Sequence, residues 1–334
     1  MKAAQIKKYS KDINVLVNEV PKPRIQENEV LIKVKAAAVN PLELLNITGS
    51  VKLIQDYQKP FTLGNELSGI ITEVGSNVKN FKKGDSVYTR LPIENIGAFA
   101  EFVAVNQDAI WFLPKNLDYT SAAAVPLTGL TAYQAFTDIL KVKSGQSVFI
   151  PGGSGSFGQM AVPIAKYLGL NVIVSGNSAS KNRILKAGAD QYLDYNKENY
   201  WEVLDKVDYV VDTLGVAEIE KELSIIKPGG KLLSLIAGPN KQFAIEQHLP
   251  KWKQWLFGLA GRKLDSQAKK HNVDYRFIFV KSNGEQLHKI TEIVEKENII
   301  PAIDPNVFTI EQVNEAISLV KNGRLQGKVV IKFE

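Results

Sequence analysis

Residues 146–169 read Gln-Ser-Val-Phe-Ile, then Pro151-Gly152-Gly153-Ser154-Gly155-Ser156-Phe157-Gly158, then QMAVPIAKYLG. A short apolar, β-branched run ends in a glycine-rich turn, and a helix-forming apolar segment begins at once. Gly153, Gly155 and Gly158 fit the spacing G-x-G-x-x-G. In that spacing the first glycine allows a tight turn and the second lets the backbone approach a pyrophosphate. The third lets helix and strand pack closely, while the helix N-terminus presents N–H donors and the positive end of its dipole. Glycine-rich turns are common, so the pattern gains weight only where a strand precedes it and a helix follows, as here. The backbone from Gly153 through Ser156 and Phe157 to Gly158 is therefore the expected phosphate cradle.

The sequence on the C-terminal side repeats the alternation. Strand NVIVS (171–175) is followed by helix SKNRILKAGA, strand VDYVVDT (207–213), helix EIEKELSIIK, a Pro228-Gly229-Gly230 turn and strand KLLSLI (231–236). Apolar strands alternating with amphipathic helices predict a parallel, doubly wound sheet with right-handed crossovers. A proline at 163 inside the first helix is expected to bend it.

The sequence on the N-terminal side differs. VLIKVKAAAV (30–39), GIITEVGSNV (69–78), FKKGDSVY (81–88) and GAFAEFVAV (97–105) alternate at period two between turn residues, predicting a β-barrel-like or sandwich domain up to residue 122. At 334 residues the chain suits two cores of about 120 to 180 residues. With 45% hydrophobic and 23% charged residues it reads as soluble and globular, and its N-terminus lacks a signal-peptide core, so a cytoplasmic location is expected. No apolar run is long enough to span a membrane. Cysteine is absent, and the three histidines, His248, His271 and His288, all lie in the last third. Disulfides, thiol catalysis and cysteine metal sites are thereby excluded, and no metal site is expected. The net charge of +6 is spread along the chain, which argues against nucleic-acid binding and suits an anionic cofactor.

Which dinucleotide binds is read from the end of the second strand. An NAD site places Asp or Glu there for the ribose hydroxyls. Here NVIVS continues as Gly176-Asn177-Ser178-Ala179-Ser180-Lys181-Asn182-Arg183, without an acid. Lys181, with Ser175, Asn177 and Ser178 as neutral donors beside Gly176, is suited to a 2′-phosphate, so NADP(H) is expected. Arg183 is read mainly as a solvated helix-face charge.

Five further segments carry a family resemblance. They are Ala38-Val39-Asn40-Pro41, Gly64-Asn65-Glu66-Leu67-Ser68-Gly69, Gly97-Ala98-Phe99-Ala100-Glu101, AAAVPLTGLTAYQAF (122–136) and Gly327-Lys328-Val329-Val330. Together they resemble the zinc-independent, zeta-crystallin-like quinone oxidoreductase branch of the medium-chain dehydrogenase/reductase superfamily, over nearly the whole chain. The resemblance implies a GroES-like catalytic domain from residues 1–122 and 283–334, with a Rossmann domain, 123–282, inserted between them. It implies hydride transfer from NADPH to a quinone or an α,β-unsaturated carbonyl, and a homodimer joined through the edge strand YRFIFV (275–280).

Zinc-dependent relatives carry a Cys and a Gly-His-Glu where this chain has Asn40 and Gly64-Asn65-Glu66, and one carboxylate cannot hold a catalytic zinc. The resemblance also implies roles for single residues. Asn40 lies beside nicotinamide and substrate, or merely caps a strand end. Tyr57 and Asn65 are proton or hydrogen-bond donors to the substrate oxygen. Thr131, Tyr195, Thr213, Leu235, Ala237 and Phe279 line the cofactor, although several would serve equally as core or surface residues.

The segment 246–271 stands apart. Trp252, Trp255, Leu256 and Leu259 fall on one helix face with Lys251, Lys253, Arg262 and Lys263 around it, which suits either a packing surface or a membrane-surface helix. Two other functions remain open: an enoyl-thioester reductase of the same superfamily, and a non-catalytic NADPH-binding protein of crystallin-like or RNA-binding type.

Overall fold

The computed structural model describes residues 1–323 and 325–334. The chain forms two compact units, one of Met1–Leu130 with Lys281–Glu334 and the other of Thr131–Val280.

The α/β unit begins with β1 (Ser147–Ile150), the glycine loop and α1 (Ser156–Tyr167). It continues through β2 (Asn171–Gly176), α2 (Lys181–Lys186), β3 (Gln191–Asp194), β4 (Val207–Asp212), α3 (Ile219–Ser224) and β5 (Ile226–Ser234). The long helix α4 (Lys251–Lys270) and edge strand β6 (Asp274–Phe277) complete it. The strands lie in the order β3-β2-β1-β4-β5-β6, all parallel. This is the doubly wound order, with its topological switch between β1 and β4, where ligands bind at the strands' carboxyl ends. Phe149, Val210, Leu223, Leu232 and Leu264 pack into its core. The Pro228-Gly229-Gly230 turn falls inside β5, whose register against β4 shifts between Val207 and Tyr209. Helix α1 runs unbroken through Pro163. A buried, apolar helix face holds it while a single backbone donor is lost.

The β-rich unit is organised around strand Glu29–Val39. Its first half pairs with Phe102–Asn106, its second half with Lys328–Lys332, and its other edge with Glu66–Val74. The C-terminal strand thus closes a sheet begun some 290 residues earlier, and Val329 and Ile331 share one core with Val30, Ile32, Leu67 and Val87. The alternation at period two gave these strands. It did not give helix Pro41–Thr48, although Asn40 at the N-cap and Pro41 at the first helical position are a start signal.

Candidate active site

The glycine loop lies at the carboxyl end of β1, next to the switch point. A β-carbon built on Gly158 would stand 1.7 Å from the Gly153 carbonyl oxygen, so only glycine lets the helix close against the loop. A β-carbon on Gly155, the N-cap of α1, would meet nothing within 4 Å. The first requirement is met by the fold itself. The second residue faces open space, as a backbone does that is shaped for an incoming phosphate. Leu214, Val216 and Ile236 follow β4 and β5 and are exposed, leaving apolar surface at the same edge. A dinucleotide fits this loop.

Several of the residues expected around it are already engaged in hydrogen bonds of the chain itself. The Ser175 hydroxyl accepts from the Gly152 N–H at 3.2 Å, and Thr213 donates to the Pro151 carbonyl at 2.6 Å. Both therefore brace the loop. The Asn177 side chain accepts from the Ser180 N–H at 3.0 Å, so it shapes the turn before α2. Tyr195 is largely exposed, its N–H on the Gly176 carbonyl. The Leu235 N–H donates to the Asp212 carbonyl and that of Ala237 to the Ser234 hydroxyl. Thr131 is buried in helix Pro126–Gln134, and Phe279 lies half-buried beyond the end of β6.

Two features beside the end of β2 are not visible strand by strand in the sequence. Asp194, at the end of β3, stands in register with Gly176 and accepts from the Ser178 hydroxyl. Ser178 is thus a partner of a carboxylate, where it was expected as a free donor. That hydrogen bond, helped by the Asn196 N–H, holds the Asp194 carboxyl below its ordinary range. Arg183 reaches back to the loop, donating to the Ser154 carbonyl at 2.6 Å, while Lys181 is exposed and, among the described residues, in no ion pair. The cation that physically joins the loop to the neighbouring turn is Arg183, which the sequence placed on a solvated face.

The β-rich unit holds a buried polar cluster. The Asn40 amide donates to Glu66 at 2.8 Å, and its backbone N–H donates to Glu43 at 2.6 Å. Asn65 donates to the other Glu43 oxygen at 2.7 Å. Lys328 forms an ion pair with Glu66 at 2.9 Å and also donates to the Asn40 side-chain oxygen. The second Glu66 oxygen accepts the Leu127 N–H at 2.7 Å. Asn40, Glu43, Asn65 and Glu66 are each no more than 2% exposed. Burial pushes the Glu43 carboxyl up to about 7, against the opposing pull of the Asn65 and Asn40 hydrogen bonds. Asn40 and Asn65 thus converge on one carboxylate, but Tyr57 is not in the cluster. Its hydroxyl donates to the Ile93 carbonyl at 2.8 Å and its ring packs on Phe61. Burial raises its phenol to about 12, so it remains a hydrogen-bond donor and is a poor proton source. Neither Glu43 nor Lys328 was given a role from the sequence, since nothing local marks a carboxylate met by Asn40 and Asn65 or an ammonium brought to Glu66 by the strand Lys328–Lys332.

Residues 26–115 match the family model described as alcohol dehydrogenase GroES-like domain, and residues 187–331 that described as zinc-binding dehydrogenase. The 2-methylene-furan-3-one reductase of Solanum lycopersicum is 33% identical over 99% of this chain and 79% of its own length. The chloroplastic NADPH-dependent alkenal/one oxidoreductase of Arabidopsis thaliana is 30% identical over 96% and 76%. The structure of the quinone oxidoreductase from Coxiella burnetii covers 100% of this chain and 99% of its own, with a TM-score of 0.83 and 26% identity. The chain belongs to the medium-chain dehydrogenase/reductase superfamily, in its quinone oxidoreductase branch. Although one matched model is named for zinc, among the described residues no three His, Asp or Glu side chains gather as metal ligands. Glu66, the carboxylate this member of the superfamily retains, has both oxygens taken by Asn40, Lys328 and Leu127.

Proposed function

We propose that this chain is a zinc-independent reductase that transfers hydride from NADPH to a quinone or an α,β-unsaturated carbonyl. The observation that carries the reading is the glycine loop at the switch point, closed by Gly158 and open at Gly155. The Arabidopsis and tomato relatives, a reductase of alkenals and a reductase of a methylene-furanone, support the substrate class.

Gly153, Gly155, Ser156, Phe157 and Gly158 hold the pyrophosphate through backbone N–H groups and the start of α1. Lys181, Arg183 and Tyr195 receive the 2′-phosphate, with Ser175, Gly176, Asn177 and Thr213 shaping the floor. Thr131, Leu235, Ala237 and Phe279 line the remainder. When bound, NADPH supplies the hydride. Negative charge then gathers on the acceptor oxygen, where hydrogen-bond donors stabilise it, the part that the family resemblance gives to Asn40 and Asn65. For Tyr57 to act as a neutral donor, its hydroxyl must first leave the Ile93 carbonyl. An enolate or hydroquinone anion is a modest base, so no metal is required.

We also infer a homodimer joined along the free edge of β6 and a cytoplasmic location. The proposed domains are residues 1–122 with 283–334 for the GroES-like domain and 123–282 for the Rossmann domain. A free sheet edge invites pairing, which supports the dimer.

Following NADPH absorbance with quinones, short enones and 2-alkenals tests the reading, with NADH and chelator controls. Oxidation of NADPH by the conjugated acceptors, undiminished by chelator, is the expected result. A strong preference for NADH would remove the role of Lys181. Loss of activity on chelation would overturn the metal-free reading, and salt-sensitive nucleic-acid affinity without turnover would replace the reductase altogether.

A further inference from the structure

Helix α4 has two faces of opposite character. Phe257, Gly261, Leu264 and Ala268 are buried against their own unit. At 100° per residue, the side opposite them carries Trp252, Trp255 and Leu259, which are 57%, 63% and 52% exposed. The same side continues into Arg262, Lys263 and Lys270, all exposed. Over its 20 residues the helix has six cations and one acid, Asp265. That acid is turned toward its own unit, accepting from Asn240 at 2.7 Å. Glu220, the acid nearest the far end, is held by Gln267 and His271. Among the described residues none of Lys251, Arg262, Lys263 and Lys270 is in an ion pair.

Two tryptophans held in water are costly unless something covers them. The occupant must tolerate indole rings at its surface and attract a row of unpaired cations. A second copy meeting this face across a two-fold axis would set the cations against their own equivalents. A bilayer containing anionic phospholipid satisfies both demands, since tryptophan prefers the headgroup level and basic side chains reach the phosphates. We propose that the exposed side of α4 docks on an anionic membrane surface, the rings of Trp252 and Trp255 entering the headgroup region. The proposal is independent of the reductase reading. If both hold, the enzyme works where lipophilic acceptors partition.

Co-sedimentation with vesicles containing phosphatidylglycerol, or phosphatidylcholine alone, tests it at low and high salt. The full chain should bind the anionic vesicles at low salt, with a blue-shifted tryptophan emission, and at least about tenfold less tightly on neutral vesicles or at high salt. Trp252→Ser with Trp255→Ser, or Arg262→Glu with Lys263→Glu, should each reduce binding by a similar factor. Both replaced pairs are solvent-exposed, so the melting temperature and turnover of a water-soluble enone should be unchanged. No binding to anionic vesicles, or equal binding by the variants, overturns the proposal. A change in oligomeric state caused by the tryptophan variants, without vesicle binding, also overturns it and gives the face to a second copy.

Discussion

Replacing Lys328 with Met isolates the electrostatics of the buried cluster. Its ammonium is 2.9 Å from Glu66, with side chains 5% and 0% exposed. Water cannot take over the lost charge, and removing one partner of a buried ion pair costs about 3–5 kcal/mol. Glu66 retains two donors, the Asn40 amide and the Leu127 N–H, so the lower figure applies. For a unit of this size about 3 kcal/mol corresponds to a fall of roughly 6–12 °C in melting temperature. Adding Glu66→Gln removes the stranded charge. Its amide oxygen can still accept from Leu127, and its NH₂ can donate to the Asn40 oxygen that Lys328 vacated. The double variant should therefore recover at least about half of the loss. Differential scanning calorimetry of the parent, both single variants and the double variant reads the coupling directly. If Lys328→Met melts within a degree of the parent, or if Glu66→Gln adds a further loss on top of it, the ammonium is not what compensates Glu66.

The two loop glycines should behave oppositely. Gly158→Ala should perturb folding of the α/β unit because its β-carbon meets a carbonyl oxygen. Gly155→Ala should leave the melting temperature unchanged yet weaken NADPH binding at least about tenfold by fluorescence titration, a loss of about 1.4 kcal/mol. Lys181→Ala and Arg183→Ala should each lower kcat/KM for NADPH by about ten- to a hundredfold while hardly touching that for NADH, since one charge-assisted hydrogen bond is worth about 1.5–3 kcal/mol. Glu222, fully buried, has its carboxyl pushed up to about 10 by burial and by Asp212. An acid whose folded value lies above its unfolded value stabilises less as pH rises from about 4.5 toward 10. Glu222→Gln should therefore flatten that decline and raise stability by roughly 2–4 kcal/mol at pH 8, measured by urea unfolding across pH. An unchanged pH dependence would show that Glu222 is not the neutral acid inferred here.

What the sequence disclosed and what it hid have a common physical reason. Gly153, Gly155 and Gly158 are visible because a backbone device needs a fixed local spacing, and β1, α1 and β2 follow one another in the chain. The strands around them were legible because their apolar runs have period and length. Asp194 was hidden because it reaches the cofactor edge from β3, through strand register. Arg183 is exposed, as its sequence context suggests, but sequence cannot tell a merely solvated guanidinium from one that also turns back onto Ser154. The helix after Asn40 was missed, even though its capping residues were present, because the preceding strand's alternation dominated the reading.

Glu43, Glu66 and Lys328 show the limit most clearly. A carboxylate at 66 by itself reads as the remnant of a metal site, since relatives with zinc keep an acid there. In the folded chain the strand Lys328–Lys332, antiparallel to Glu29–Val39, delivers an ammonium to that acid and to Asn40. A cation carried by the chain's own end thus stands on the carboxylate and on the residue at the other former ligand position. The consequence is structural as well as chemical. Residues 1–130 alone contain a fully buried acid without its counter-charge and a sheet without its closing strand, so the β-rich unit cannot reach its final stability until residue 328 is in place.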